Sequence, residues 1–183
     1  MAKRTNDPIT LGSGTFYMLA FADAMPTKED LFKADNRVGR TKGGAALQYT
    51  EETYEEKDDL GYVSKVITTS EEVILKGGLL AWTGKDLPKL VDRCKVTEEN
   101  GTRTTKIGGV GNAQDGYFAI GFHHKDKKQG DIWIMIKGRN TAGLTMNFAV
   151  DEGTVLEPEF KALPHDEDGT LVEFIEETGA TAE

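Results

Sequence analysis

The chain has 183 residues, 38% hydrophobic and 29% charged, with a formal net charge of −9. That balance fits one soluble domain and excludes a disordered or collagen-like chain. No apolar run approaches the ~20 residues of a bilayer-spanning helix, and no signal-peptide core follows Met1–Pro8, so synthesis in a cytosol and no membrane partner are expected.

The charge is unevenly placed. Residues 151–183 carry eleven Asp or Glu against the single cation Lys161, which leaves the first 150 residues nearly neutral. Such a surface repels nucleic acid, because DNA binding gains its free energy when protein cations displace counterions from phosphates. Sequence-specific DNA or RNA recognition is therefore disfavoured.

Thr15–Phe21 follows Gly12-Ser13-Gly14 and predicts a first strand, apolar on both faces. Residues 22–44 read as a long polar connection containing Pro26, Gly39, Gly43 and Gly44, and a loop of that length is usually functional or disordered. It holds Lys28, Lys33, Arg37, Arg40 and Lys42 and the exposed-looking pair Leu31-Phe32, a combination suited to docking on an acidic surface.

Residues 45–75 predict a long hairpin, with arms Ala45–Glu56 and Tyr62–Leu75 and a turn near Asp58-Asp59-Leu60-Gly61. Residues 51–59 hold six carboxylates against Lys57 alone. In the second arm Tyr62, Ser64, Val66 and Thr68 share one face, and Val63, Lys65, Ile67 and Thr69 the other. Neither face is cleanly apolar, so the arms suit a sheet shared between subunits better than a private core.

A helix is predicted over residues 84–95, with Asp86 as cap, Pro88 in the first turn, and Leu87, Leu90, Val91 and Cys94 at helical spacing. Cys94 is the one cysteine and reads as a small buried hydrophobe. Asn100-Gly101 marks a turn and Arg103–Ile107 a weak strand. The glycines of 108–112 suggest a phosphate loop, but neither Lys-Ser/Thr nor a helix pattern follows, so a hairpin connection is expected.

Tyr117–Phe122, Ile132–Ile136 and Leu144–Val150 predict a β-meander. The middle stretch, Ile132-Trp133-Ile134-Met135-Ile136, is apolar on both alternating faces and needs two covers. One is the chain's own core; the other is expected from a neighbouring subunit.

No catalytic chemistry stands out. His123 and His124 would point to opposite strand faces at a solvated strand end, and His165 lies far away, so no zinc spacing exists. Asp166-Glu167-Asp168-Gly169 lacks the alternating acids and the terminal Glu of a calcium loop. There is no nucleophile elbow and no marked carboxylate pair, so catalytic residues, metal and cofactor are all assigned as none.

The order of these parts carries a family likeness. A Gly-x-Gly strand (Gly12–Phe21), a long loop, a long mixed hairpin, one helix after Gly84, a meander, and closing segments Pro158–Leu163 and Gly169–Phe174 resemble the major tail tube proteins of long-tailed, siphovirus-like bacteriophages and related tail-like particles. The likeness is one of layout over nearly the whole chain. It implies a single mainly β domain over 1–183: an antiparallel β-sandwich or partly open barrel with one flanking α-helix, a long hairpin and a long inter-ring loop, with 178–183 a flexible tail. It also implies a structural virion protein, assembled in the host cytoplasm from hexameric rings stacked into a hollow tube. Such a tube conducts double-stranded DNA and the tape-measure protein, and meets tail terminator and distal tail proteins at its ends.

On that reading Glu51, Glu52, Glu55 and Glu56 are candidates for lumenal or ring-edge charge. Lys28, Leu31, Phe32, Lys33, Arg37 and Arg40 are candidates for inter-ring contacts, and Asp58 and Asp59 for acidic docking points. The alternative is a carbohydrate- or receptor-binding β-sandwich, which needs Trp82, Trp133 and Tyr62 on an exposed platform. A third reading, an acidic-site hydrolase, needs two carboxylates converging in a pocket.

Overall fold

β1 (Gly14–Ala20) pairs along its whole length with β6 (Phe118–His124), and its other edge meets the start of β2 (Arg37–Lys57). These assignments come from a computed structural model that describes residues 12–62 and 64–178. β2 turns into β3 (Ser64–Leu79); β3 meets β8 (Glu159–Leu163), and β8 meets β7 (Ile132–Asn140). β7 then pairs with β6, so the antiparallel ladder returns to its starting point. The β1–β2 and β3–β8 contacts span only three residue pairs each, which leaves a partly open, sandwich-like arrangement. β9 (Glu173–Glu176) adds to β7 at Ile132–Met135.

Two apolar clusters hold this arrangement. Side chains alternate across a strand, so β1 sends Phe16 and Met18 into a main core with Leu75, Ile120, Ile136 and Phe160. The Phe16 ring lies 5.3 Å from Phe122 and 5.8 Å from Phe160. Burial of each such side chain stabilises by about 1.5–3 kcal/mol. The opposite faces of the same strands present Tyr17, Ala119 and Met135 to a second cluster, closed by Leu31 with Met25 and Phe32 packed around it.

That second cluster corrects the reading of residues 22–44. The outer cover of β7 is the chain's own segment, not a neighbouring subunit. A one-turn helix α1 (Lys28–Leu31) drops Leu31 into full burial. Thr27 starts this helix: its hydroxyl accepts from the Asp30 amide at 3.2 Å and donates to the Asp30 carboxylate at 2.8 Å, a reciprocal cap. Phe32 lies edge-on to Tyr17 at 5.1 Å and covers Gly121, where a Cβ would come within 2.7 Å of the Phe32 ring. The loop then ends early, because β2 begins at Arg37 and carries both Arg37 and Arg40.

The helix expected over 84–95 contracts to one turn, α2 (Leu87–Leu90), since Val91 is already extended at φ −131°, ψ 119°. Leu87, Leu90 and Cys94 are all buried in the main core, so the apolar spacing is real, but a turn and a strand deliver it in place of a helix. Cys94 opens β4 (Cys94–Glu99), which pairs with β5 (Thr102–Ile107) around Asn100-Gly101, both at positive φ. Asp86 does not cap α2 through its side chain; its carboxylate accepts from the Thr83 amide and hydroxyl at 3.2 and 2.8 Å.

Leu144–Val150 is likewise not a strand. The far edge of β7 is taken by β8 at Lys137–Asn140 and by β9 at Ile132–Met135, so no ladder remains for it. Leu144 and Met146 still pack on the core while Phe148 is exposed. The tail assigned to 178–183 lies outside the described residues except for Thr178.

Candidate assembly surface

β2 and β3 run far beyond the body. Every described residue from Ala45 to Tyr62 and from Ser64 to Glu71 is exposed, on both faces of the ribbon. At ~3.4 Å per residue its arms extend about 40 Å. Leu47, Tyr49, Tyr54, Val66 and Ile67 are between 38% and 58% exposed along it. A lone two-stranded hairpin is marginally stable in water, and this one adds uncovered apolar surface.

The register sorts the side chains. Directly opposed residues share a face, and the pairs Leu47↔Leu75, Tyr49↔Val73, Glu51↔Glu71, Thr53↔Thr68 and Glu55↔Val66 define the first face. The second contains Gln48↔Ile74, Thr50↔Glu72, Glu52↔Ser70, Tyr54↔Ile67 and Glu56↔Lys65. One irregularity at Glu52/Thr53 leaves Thr69 without an opposite number, a β-bulge in the second arm. The four acidic candidates therefore divide: Glu51 and Glu55 on one face, Glu52 and Glu56 on the other.

Local contacts agree with that division. On the first face Tyr49 reaches Glu51 at 3.4 Å, and Thr68 donates to Glu51 at 2.6 Å. Partial desolvation, then the negative charges of Glu71 and Glu51, raise the Tyr49 phenol above its usual 10. On the second face Ser70 donates to Glu52 at 2.9 Å and Tyr54 to Glu56, a bond that raises the Tyr54 phenol. Asp58 and Asp59 sit at the tip, where the Asp58 carbonyl accepts from the Gly61 amide at 2.9 Å.

The basic candidates separate as well. Lys28 lies 4.1 Å over the Trp133 ring and 3.9 Å from Glu29, and Lys33 meets Asp30 at 2.7 Å. That ion pair, with the Thr27 hydroxyl, lowers the Asp30 carboxyl, and it raises the Lys33 amine. Arg37 and Arg40 are exposed on β2, and among the described residues neither guanidinium meets a carboxylate. Leu31 and Phe32 are spent on the chain's own second cluster, which removes the exposed-pair docking idea.

No family model matches this chain, and no curated protein matches it.

The other residues singled out by sequence serve the body. His123 is buried, not solvated: it stacks on Trp133 at 5.1 Å and bonds Asp131 at 2.8 Å. Burial lowers its pKa, against the pull of Asp131. His124 is buried too, with Nδ1 3.0 Å from the Ser13 carbonyl. Trp133 is buried and Trp82 half-buried with its indole N–H on the Thr154 carbonyl at 3.1 Å, so they form no exposed platform with Tyr62. Several C-terminal acids are structural: Glu159 meets Lys76 at 2.9 Å, Glu177 accepts from the Asp131 amide at 3.1 Å, and Glu173 lies 3.2 Å from His165. An open groove of about 690 Å³ runs past Lys42, Thr145, Asn147, Glu152 and Glu157, walled largely by small side chains. Among the described residues no cluster of three potential metal ligands occurs, and no helix is long and apolar enough to cross a membrane.

Proposed function

We propose that this chain is the tube subunit of a long-tailed phage tail or of a related tail-like particle, a structural protein that assembles with copies of itself into hexameric rings and stacked, hollow tubes. The observation that carries this reading is the β2–β3 ribbon, exposed on both faces along arms of about 40 Å and lined with apolar side chains that the chain itself leaves uncovered. Exposed strands and two-sided ribbons favour pairing with other chains, and a closed ring satisfies every edge at once. The body is a partly open antiparallel β structure, as such a subunit requires.

In a tube, acids on the wall repel the phosphates of a passing duplex and supply no grip. The tape-measure protein would occupy the same bore before the DNA, and terminator and distal tail proteins would close the ends. The inter-ring role first given to residues 22–44 narrows, because Leu31, Phe32, Lys28 and Lys33 are engaged within the chain. Among the described residues Arg37 and Arg40 meet no carboxylate, which leaves them for contacts between copies.

The test is electron microscopy of the purified protein, concentrated and held for hours at moderate salt. Six-fold rings or uniform hollow tubes are expected. A protein that stays monomeric across salt and pH, and alongside its tail-end partners, overturns the proposal.

A further inference from the structure

The two faces of the ribbon differ in character, and we infer that the face bearing Leu47, Tyr49, Glu51, Val66 and Glu71 packs on a second copy of this chain, its acids meeting that copy's Arg37 and Arg40. The face bearing Glu52, Glu56 and Glu72 then stays wet and forms the wall of the bore. This assignment rests on the tube reading above and adds which surface does which task.

Continuity of the apolar surface is the first argument. Leu75 and Val73, fully buried at the root of the ribbon, lie on the first face, and Leu47, Tyr49 and Val66 extend that face outward without cover. A core face that runs off the edge of its own domain is completed by another domain. The second face starts instead from the outer side of the sheet, where Lys76 pairs with Glu159 at 2.9 Å and Lys161 with Glu72 at 2.5 Å. At that root Glu72 and Glu159 are each already paired with a lysine, as suits a surface that remains in water.

Charge is the second argument. Glu51 and Glu71 stand directly opposite each other, an arrangement that costs stability in an isolated ribbon. Their neighbours are the neutral hydroxyls of Tyr49 and Thr68, and no cation lies within ion-pair distance among the described residues. Arg37 and Arg40 are the complementary deficit: exposed cations that meet no carboxylate among the described residues. They lie on the same strand as Glu51, eleven residues or more away, so about 35 Å separates the two sets at ~3.4 Å per residue. They cannot neutralise each other within one chain. Between copies they can, and a contact joining two different surfaces is head-to-tail, the kind that closes rings.

Thiol labelling tests the assignment, because Cys94 is buried and gives little background. Thr53→Cys places a thiol on the first face and Thr50→Cys on the second. Both variants should label with a small maleimide when unassembled. In assembled tubes the Thr53→Cys thiol should lose its labelling while the Thr50→Cys thiol keeps it. The opposite pattern, or equal behaviour of the two, overturns the inference and leaves the tube reading standing. Failure of the wild-type chain to assemble at all overturns both. As a second arm, Glu51→Arg with Glu71→Arg should abolish tubes, and adding Arg37→Glu with Arg40→Glu should restore them; Glu52→Arg with Glu72→Arg should leave assembly intact. Circular dichroism of each variant checks folding, and a folded quadruple variant that forms no tubes overturns the arginine match.

Discussion

Glu51 faces Glu71 across the β2–β3 ladder, and the Tyr49 hydroxyl lies beside both carboxylates. The phenol must therefore ionise above its ordinary value, since its anion would join two existing negative charges in a partly desolvated place. Because the folded pKa is raised, this contribution to stability is complete below pH ~10 and is lost as pH rises through the folded value. An absorbance titration of tyrosinate should show Tyr49 and Tyr54 titrating late, and Tyr49→Phe should remove one of the two late groups. Glu71→Gln should bring the Tyr49 group back toward pH 10.

Leu31 is part of the fold. Leu31→Ala should cost about 2–5 kcal/mol in urea unfolding of the isolated chain, and Leu31→Asp should prevent folding altogether. A Leu31→Asp chain that folds normally and fails only in assembly would return Leu31 to an inter-subunit role.

Gly138 on β7 lies so close to the backbone carbonyl of Lys161 on β8 that a Cβ has no room. The obstacle is backbone and cannot swing aside, so Gly138→Ala should destabilise by about 1–3 kcal/mol or more. Hydrogen exchange should show the loss first at amides of Phe160–Leu163, the strand pushed away.

His123 is buried against Trp133, and burial is the larger effect on it, so its folded pKa lies below the usual 6.5. Stability from this group is complete above pH ~6.5 and is lost as pH falls through the folded value, because the unfolded chain takes up the proton first. Urea midpoints measured from pH 7 to pH 5 should fall, and His123→Phe should flatten that part of the profile.

Amides of residues 45–57 and 64–71 should exchange within the fast class in the unassembled chain, since the ribbon is exposed on both faces. Those of β1, β6 and β7 should exchange only on global unfolding. Assembly should transfer protection to the ribbon and leave the rest of the pattern unchanged.

Local signals in the sequence carried far. The continuous apolar runs of Thr15–Phe21 and Ile132–Ile136, the turn residues around Gly61 and Asn100-Gly101, and the mixed polarity of residues 45–75 sufficed to place strands, turns and a hairpin whose faces no private core could absorb. These features depend on neighbours a few residues apart, and period-2 patterning is read directly. Elements that depend on distant partners were not legible. The helical spacing of Leu87, Leu90 and Cys94 yields a turn and a strand, because the main core accepts those side chains from either geometry. Leu144–Val150 has a strand's pattern and no strand's place. Thr27-Lys28-Glu29-Asp30 did hold a signal, a cap with an acid three residues on, that identifies a helix inside the supposed loop.

By itself, then, the sequence determined a β-rich domain, an uncovered ribbon and a polarised charge distribution, because composition and short-range periodicity fix what each stretch can bury. Tertiary structure alone decided that Leu31 and Phe32 cover β7 from outside, that Lys28 and Lys33 are already engaged, and that Glu51 and Glu52 belong to opposite faces. Those outcomes follow from register and from competition for one sheet's edges, and both are set only when strands far apart in the chain meet.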